Sequence, residues 1–389
     1  MKLIIERTAL FNSLSRVQSV IERRNTVPIL SNIKIESHEE GWIDLSATDM
    51  VIDIIERASA DVEQSGSTTV PVHILYDIIR KLPNGSQIEI EQSNDSDKFV
   101  LRSGDYCFTL SSLPSSDYPT ISSDSLSYSF VLNQKNLKWL IDKTRIAILN
   151  EETRYYLNGI YLHVKSGDDG SVLCAVATDG HRLAFAKLPS YNLTFLESEG
   201  SLSNFPGVII PRKTVIELKK IIDIESNEPQ NVTISLSEKI IRFAFNDVLM
   251  TSKLIDGTFP DYERVIPKNN SRVLNINRKD LLKKIDMLSS VSNDRSCQIE
   301  LTISNDKCDL LMRDLVANHE GSGYLKSSYK DNPMKIGFNS RYLIEILEQI
   351  DGDNAQLILA NETNQVLIKG DKEVNYSYVL MPTTLRSER

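Results

Sequence analysis

Apolar residues near the N-terminus recur at Leu10, Leu14, Val17 and Ile21, the spacing of a helix that buries a single stripe. Further on, the pattern becomes an alternation of apolar and polar positions, as in IKIE at 33–36 and LSATDMVIDII at 45–55, which predicts half-buried strands joined by polar turns. The whole arrangement then comes back twice. A short apolar strand runs into a helical stretch in TVPVHILYDIIRKL at 69–82, VIIPRKTVIELKKII at 208–222 and MKIGFNSRYLIEIL at 334–347. The starts of these helices, at 71, 211 and 339, lie 140 and 128 residues apart, too far for a solenoid and right for repeated domains. Front halves repeat as well, in KLIIERTALFNSLSRVQSV, SFVLNQKNLKWLIDKTRIAIL and RVLNINRKDLLKKIDMLSSV. Each unit ends on a similar phrase: FTLSSLPSSDYP, LMTSKLIDGTFPDY and YSYVLMPTTL.

One helix followed by several strands, twice per repeat, predicts an α+β fold: three tandem repeated domains, each with two helices on one side of antiparallel sheets. The Ser-rich ISSDSLSYS at 121–129 and the polar PKNNSR at 267–272 read as linkers, giving domains at 1–125, 126–269 and 270–389. Neither linker is long enough for the domains to swing freely.

Composition adds little until charge is sorted by element. The chain has 389 residues, 41% of them hydrophobic and 25% charged, with a net charge of −9. The six predicted helices hold 19 basic and 8 acidic residues, against 25 and 45 in the remainder. A solvated face explains any one basic helix, but five of six leaning the same way in an acidic protein predicts a positive track suited to a phosphate backbone. No zinc-finger spacing, recognition helix or RNP pattern accompanies it, so the predicted binding is indifferent to base sequence.

Catalytic and metal readings find little support. Asp179 and His181 in ATDGHRLA would share a strand face, yet Thr48–Asp49 repeats the Thr-Asp without the His, which favours a turn-capping role for the Asp. No P-loop, GxGxxG, GxSxG or HExxH is present, and the pairs Glu39–Glu40, Glu151–Glu152 and Asp168–Asp169 lack nearby His or Cys. No catalytic residue, cofactor or metal is expected. Cys107, Cys174, Cys297 and Cys308 lie in predicted strands and read as buried, reduced thiols; with no signal peptide and no membrane-spanning run, the expected location is cytoplasmic. Three readings remain: a non-catalytic protein that slides on duplex, a sequence-indifferent DNA-binding enzyme, or a scaffold without nucleic acid.

The phrases TVPILSNI, RYYLNGIY, ATDGHRLA, IIPRK, SKLIDGTFPDYERVIPK and YVLMP resemble the bacterial DNA polymerase III β subunit, the replicative sliding clamp, over essentially the whole chain. The resemblance implies a head-to-tail homodimer closing into a ring, helices on the inner side around duplex DNA and sheets outside. It also implies partners: duplex DNA without sequence preference, the replicative polymerase subunit, the clamp loader and other clamp-motif proteins of replication and repair, with no membrane. By position it implies a peptide-binding groove of Leu157, Thr178, Gly180, His181, Arg182, Leu183, Pro260, Arg264, Val265, Asn339, Tyr342, Val379, Leu380, Met381 and Pro382. DNA contacts would come from Arg24, Arg154, Tyr155 and Tyr156, and the dimer interface from Phe108 and Leu110 against Leu288 and Val291. Two departures stand out. Glu151 occupies a position where the family favours a neutral amide, and the terminus reads MPTTLRSER, with Arg386 to Arg389 as an added tail.

Overall fold

A computed structural model describes the chain except residues 93–97, 122–125, 152, 168–169, 190–192, 196–204, 206, 224–229, 292–296, 315 and 386–389. It contains helices α1 (Arg7–Val17), α2 (Val72–Lys81), α3 (Gln134–Thr144), α4 (Arg212–Asp223), α5 (Arg278–Ser289) and α6 (Ser340–Gln349). Every strand pair among the described residues is antiparallel.

The chain condenses into two compact units. One comprises Met1–Leu137, Tyr191–Phe205 and Lys213–Leu254; the other comprises Lys138–Ser190, Pro206–Arg212 and Ile255–Arg389. Sheets that run across the repeats explain the division. In the first unit, Val248–Lys253 pairs with Ile52–Ser59, from Val248↔Glu56 to Ser252↔Ile52, and so joins a nine-stranded sheet. In the second, Tyr376–Leu380 pairs with Arg182–Pro189, from Arg182↔Leu380 to Ala186↔Tyr376, within a twelve-stranded sheet. Both joints follow one rule: the strand after a Thr-Asp turn receives the last strand of the next repeat. A five-stranded sheet ending on Tyr106–Ser111 completes the first unit.

The hydrophobic pattern accounts for the cores. Leu10, Leu14 and Val17 of α1 are fully buried and pack towards Ile43, Leu45 and Ala47, the inward residues of an alternating strand. Burying each such aliphatic side chain stabilises the fold by about 1.5–3 kcal/mol. The helix ends at Val17, earlier than the apolar stripe suggests, because Val20 and Ile21 stay buried within a turn. Side-chain caps fix the starts of three helices: Glu6 accepts from the Ala9 N–H, Asn277 from Asp280, and Asn339 from Arg341 and Tyr342.

Two sequence expectations need correction here. Cys107 is exposed on its strand, and Cys297, with φ of 37°, lies one residue ahead of a strand; Cys174, Cys297 and Cys308 are buried. Part of the basic surplus on the helices is also structural. Arg7 donates to the carbonyls of Ile79 and Arg80 at the end of α2, and Arg278 donates to the Leu347 and Gly352 carbonyls at the end of α6. Lys143, buried, contacts the Gln349 carbonyl and pairs with Asp351 at 2.7 Å, while Arg16 pairs with the buried Glu56. Arg7, Lys143 and Arg278 satisfy orphan carbonyls and the negative ends of helix dipoles. Arg23, Arg24, Lys135, Lys283 and Arg341 are exposed.

Candidate peptide groove, DNA face and subunit edges

The Thr-Asp phrase builds the same turn twice. Thr48 and Thr178 donate their hydroxyls to the carbonyls four residues on, those of Ile52 and Arg182. Asp49 accepts from Val51 and Ile52, and Asp179 accepts from His181 and Arg182, at 2.7 to 2.9 Å. Asp314 does the same for Val316 and Ala317 in the third repeat. Asp179 is thus a turn cap held to backbone donors, and its nearness in sequence to His181 reflects that turn. The third turn position needs a left-handed backbone, met by Gly180 at φ 87° and by Met50 at φ 72°.

In the second unit the strand after this turn carries Leu183 into a buried apolar cluster around which the groove candidates gather. Leu157, Leu183 and Val379 would be the floor of that groove, 5%, 2% and 1% exposed, packed with Leu149, Val176, Ile209, Phe259 and Tyr262. Above the floor stand apolar side chains that solvent reaches: Val265 is 38% exposed, Met381 41%, and Pro260 is exposed. Leu380 does not join that floor with its side chain, because alternation turns it to the opposite face, where it is fully buried; it contributes backbone to the pairing with Arg182. Arg264 is at the outer edge, its side chain 85% exposed and paired with Asp261 at 2.7 Å.

Arg182 gathers the polar candidates. It is 8% exposed, pairs with Asp179 at 3.1 Å, and lies 4.3 Å from the centroid of the Tyr342 ring. Its Nη1 approaches Glu345 of α6 at 2.6 Å as an ion pair, off the line of an N–H bond. His181 stacks on Tyr342 at 6.2 Å. Asn339 takes no outward role with its carbonyl oxygen, since that atom caps α6 and thereby sets where Tyr342 stands. Burial raises the Tyr342 phenol above its ordinary range, with Asp179 adding to the effect, so the ring stays neutral under the guanidinium.

Sequence reasoning missed the aromatic support of the floor. Phe259 and Tyr262, on either side of Pro260 in TFPDYE, are buried, and Tyr262 shares a 3.0 Å hydrogen bond with the His163 ring. Their wide aromatic spacing in a loop was the available signal. Burial, then Lys165, holds the His163 pKa below its usual value.

The proposed DNA contacts divide between the units. Arg24 is exposed in the first. In the second, Arg154 has Glu151 at 3.4 Å and passes behind Gly180, where an added Cβ would come within 2.9 Å of its Nη1. Tyr155 is 54% exposed, but Tyr156 packs its ring against the groove floor and meets Tyr155 edge-on at 5.8 Å. The departure at Glu151 therefore acts on Arg154, setting a carboxylate against its guanidinium.

The dimer candidates lie at two open strand edges. Phe108 and Leu110 are half-buried on Tyr106–Ser111, the outermost strand of its sheet. Strand His319–Ser328 pairs with Lys307–Asp314 from His319 to Lys326, and among the described residues its other side meets Arg272–Asn277 through Ser327 and Ser328 alone. Leu288 and Val291 border that open stretch; a Cβ on Gly321 would lie 3.1 Å from Leu288 and 3.3 Å from Val291. A cavity of about 710 Å³, lined by Lys284, Glu300, Asp309, Tyr324 and Lys335 among others, adjoins the same strand.

Antiparallel sheets that join strands of successive repeats, with helices packed on them, define a repeated-domain α+β protein. Comparison with known proteins specifies which. The chain matches the N-terminal, central and C-terminal domains of the DNA polymerase III beta subunit over residues 1–122, 131–261 and 263–384. It is 40% identical over 382 residues to the beta sliding clamp of Caulobacter vibrioides, covering 98% of this chain and 99% of that one. It is 32% identical to the beta sliding clamp of Escherichia coli strain K12 over 387 residues, covering 99% and 100%. Among solved structures, the DnaN sliding clamp from Bartonella birtlesii bound to griselimycin superposes with a TM-score of 0.92 at 42% identity, covering 99% and 100%. The chain belongs to the DNA polymerase III beta subunit family, the beta sliding clamps, and is a non-catalytic processivity factor of DNA replication. Among the described residues, no helix is long and apolar enough to cross a membrane.

Proposed function

We propose that two copies close head to tail into a ring around duplex DNA, in the cytoplasm, and that the groove of the second unit tethers the replicative polymerase, the loader and other clamp-motif proteins. The observation that carries the ring is the pair of open strand edges at opposite repeats, one bearing Phe108 and Leu110 and the other bordered by Leu288 and Val291. An edge of one kind on each chain makes a heterologous contact, which must close or else propagate as a filament. The exposed helical cations, with Arg24, Arg154 and Tyr155, would attract phosphates without reading bases, and Tyr156 would buttress Tyr155. Retention then depends on topology, and the tethered polymerase gains through effective concentration.

The groove reading rests on exposed Val265, Met381 and Pro260 above a buried apolar floor, which suits aliphatic or aromatic anchors of an extended peptide. Two or three anchors at about 1.5–3 kcal/mol each, less ordering costs, give exchangeable binding. Mass measurement in solution tests the assembly. Wild-type protein should have the mass of two chains at micromolar concentration, and Phe108→Asp with Leu110→Asp the mass of one; a single-chain wild type, or an unchanged mass in the double variant, removes the ring.

A further inference from the structure

The terminal strand does not stop at the groove. Beyond Leu380 the chain crosses the rim and is fastened on both sides within three residues. The Met381 N–H donates to the His181 carbonyl at 2.9 Å, on the wall built by the second repeat. The Thr383 N–H donates to the Gly337 carbonyl at 2.9 Å, on the outer edge of strand Met334–Asn339 in the third. Pro382, between them, has no N–H and needs no acceptor. Gln298, which opens the neighbouring strand and pairs with Asn339, completes the fastening: its amide nitrogen donates to the Thr383 hydroxyl at 2.8 Å and to the Thr384 carbonyl at 2.9 Å. Gly337 makes room for it. A Cβ there would lie 2.8 Å from the Leu385 side chain and 2.9 Å from both the Gln298 amide nitrogen and the Thr383 hydroxyl.

We infer that Gln298 and Gly337 are positioning residues of the peptide groove: they strap Thr383 to the sheet edge and so fix Met381 and Pro382 as its rim. This inference rests on the groove reading given above. Met381 is 41% exposed and has three rotatable bonds, so its backbone must be held if the rim is to meet a ligand preformed. One strap on the His181 side would leave the chain free to swing about it. The second removes that freedom, and one amide side chain supplies both of its side-chain donations. The same Gln298 lies in register with Asn339, the cap that sets Tyr342, so the two walls share one support.

A mutant cycle separates the strap from the groove. The probe is a fluorescent synthetic peptide carrying two aliphatic residues and an aromatic one, titrated against the full-length dimer. Met381→Ala should weaken binding about tenfold, the loss of one buried anchor contact. Gln298→Leu, which keeps the volume and removes both donors, should weaken it by a similar factor, with the thermal midpoint and solution mass little changed. Combined, the two should weaken binding little more than Met381→Ala alone, because the strap acts through that residue. Thr383→Ser, which keeps the hydroxyl, should bind as wild type.

Independent, multiplicative effects of the two substitutions would overturn the strap, as would wild-type affinity in Gln298→Leu while Met381→Ala binds weakly. No effect from Met381→Ala would sink the groove itself. Should Gln298→Leu destabilise the third repeat, Gly337→Val offers a second route, displacing the same strap from the other strand, and must give the same non-additive result.

Discussion

Arg182→Met tests whether the groove wall is held by a buried charge network. Asp179 is 7% exposed and loses its guanidinium partner at 3.1 Å, while Tyr342 loses the cation 4.3 Å above its ring. Stranding one member of a buried pair costs about 3–5 kcal/mol. Asp179 keeps its backbone donors from residues 181 and 182 at 2.9 Å, which places the cost at the low end. The Glu345 partner is 44% exposed, so its share is under about 1 kcal/mol. Loss of the cation–π contact adds about 1 kcal/mol, and the apolar methionine recovers a comparable amount. The expected net loss is about 3 kcal/mol. Urea unfolding can read this unit alone. Trp42 and Trp139 are the two tryptophans, one in each unit, so a Trp42→Phe background leaves fluorescence from Trp139. Adding Asp179→Asn removes the stranded charge while leaving an oxygen to cap the turn, and should recover about 2 kcal/mol. A loss below about 1 kcal/mol, or no recovery in the double variant, would refute the reasoning.

Two further outcomes follow from groups outside the groove. Burial, opposed by Arg16, raises the Glu56 carboxyl to about 7 from 4.5. The folded state therefore holds this proton more tightly than the unfolded state; the stabilisation is full below about pH 4.5 and lost as pH rises through 7, a span of about 3 kcal/mol. Glu56→Gln should flatten that decline when the melt is followed through Trp42 between about pH 5 and 8; an unaltered slope assigns it elsewhere. Glu151→Gln leaves Arg154 without its carboxylate at 3.4 Å and should tighten bare duplex association, steepening the logarithmic salt dependence by about 1. Equal slopes would mean that Arg154 does not reach phosphate.

The repeat was legible because periodicity is a one-dimensional signal. Leu10, Leu14 and Val17 face the core as their spacing requires, and the Thr-Asp phrases at 48 and 178 fold into matching turns. Strand joints across repeats were not legible, since nothing in Val248–Lys253 alone says that it pairs with Ile52–Ser59 rather than within its own repeat. Among the groove candidates, sequence could not sort buried positions from exposed ones. Leu183 and Val265 look alike as apolar residues, yet one is 2% exposed and the other 38%. The charge count had the same limit: Arg7 and Arg278 are basic in composition, but in the fold they cap helix ends. The Arg386 to Arg389 tail lies outside the described residues.

The central claim is that this chain retains DNA by encircling it. The most direct measurement loads labelled protein onto a closed circular duplex with a clamp loader and ATP, isolates the complex, and cuts the circle once. Encirclement predicts that the protein stays with the intact circle through a salt wash and leaves promptly after the cut, while blocking both ends of the linear product restores retention. Equal retention on circle and open-ended linear DNA would contradict it and make the basic helices an ordinary binding surface.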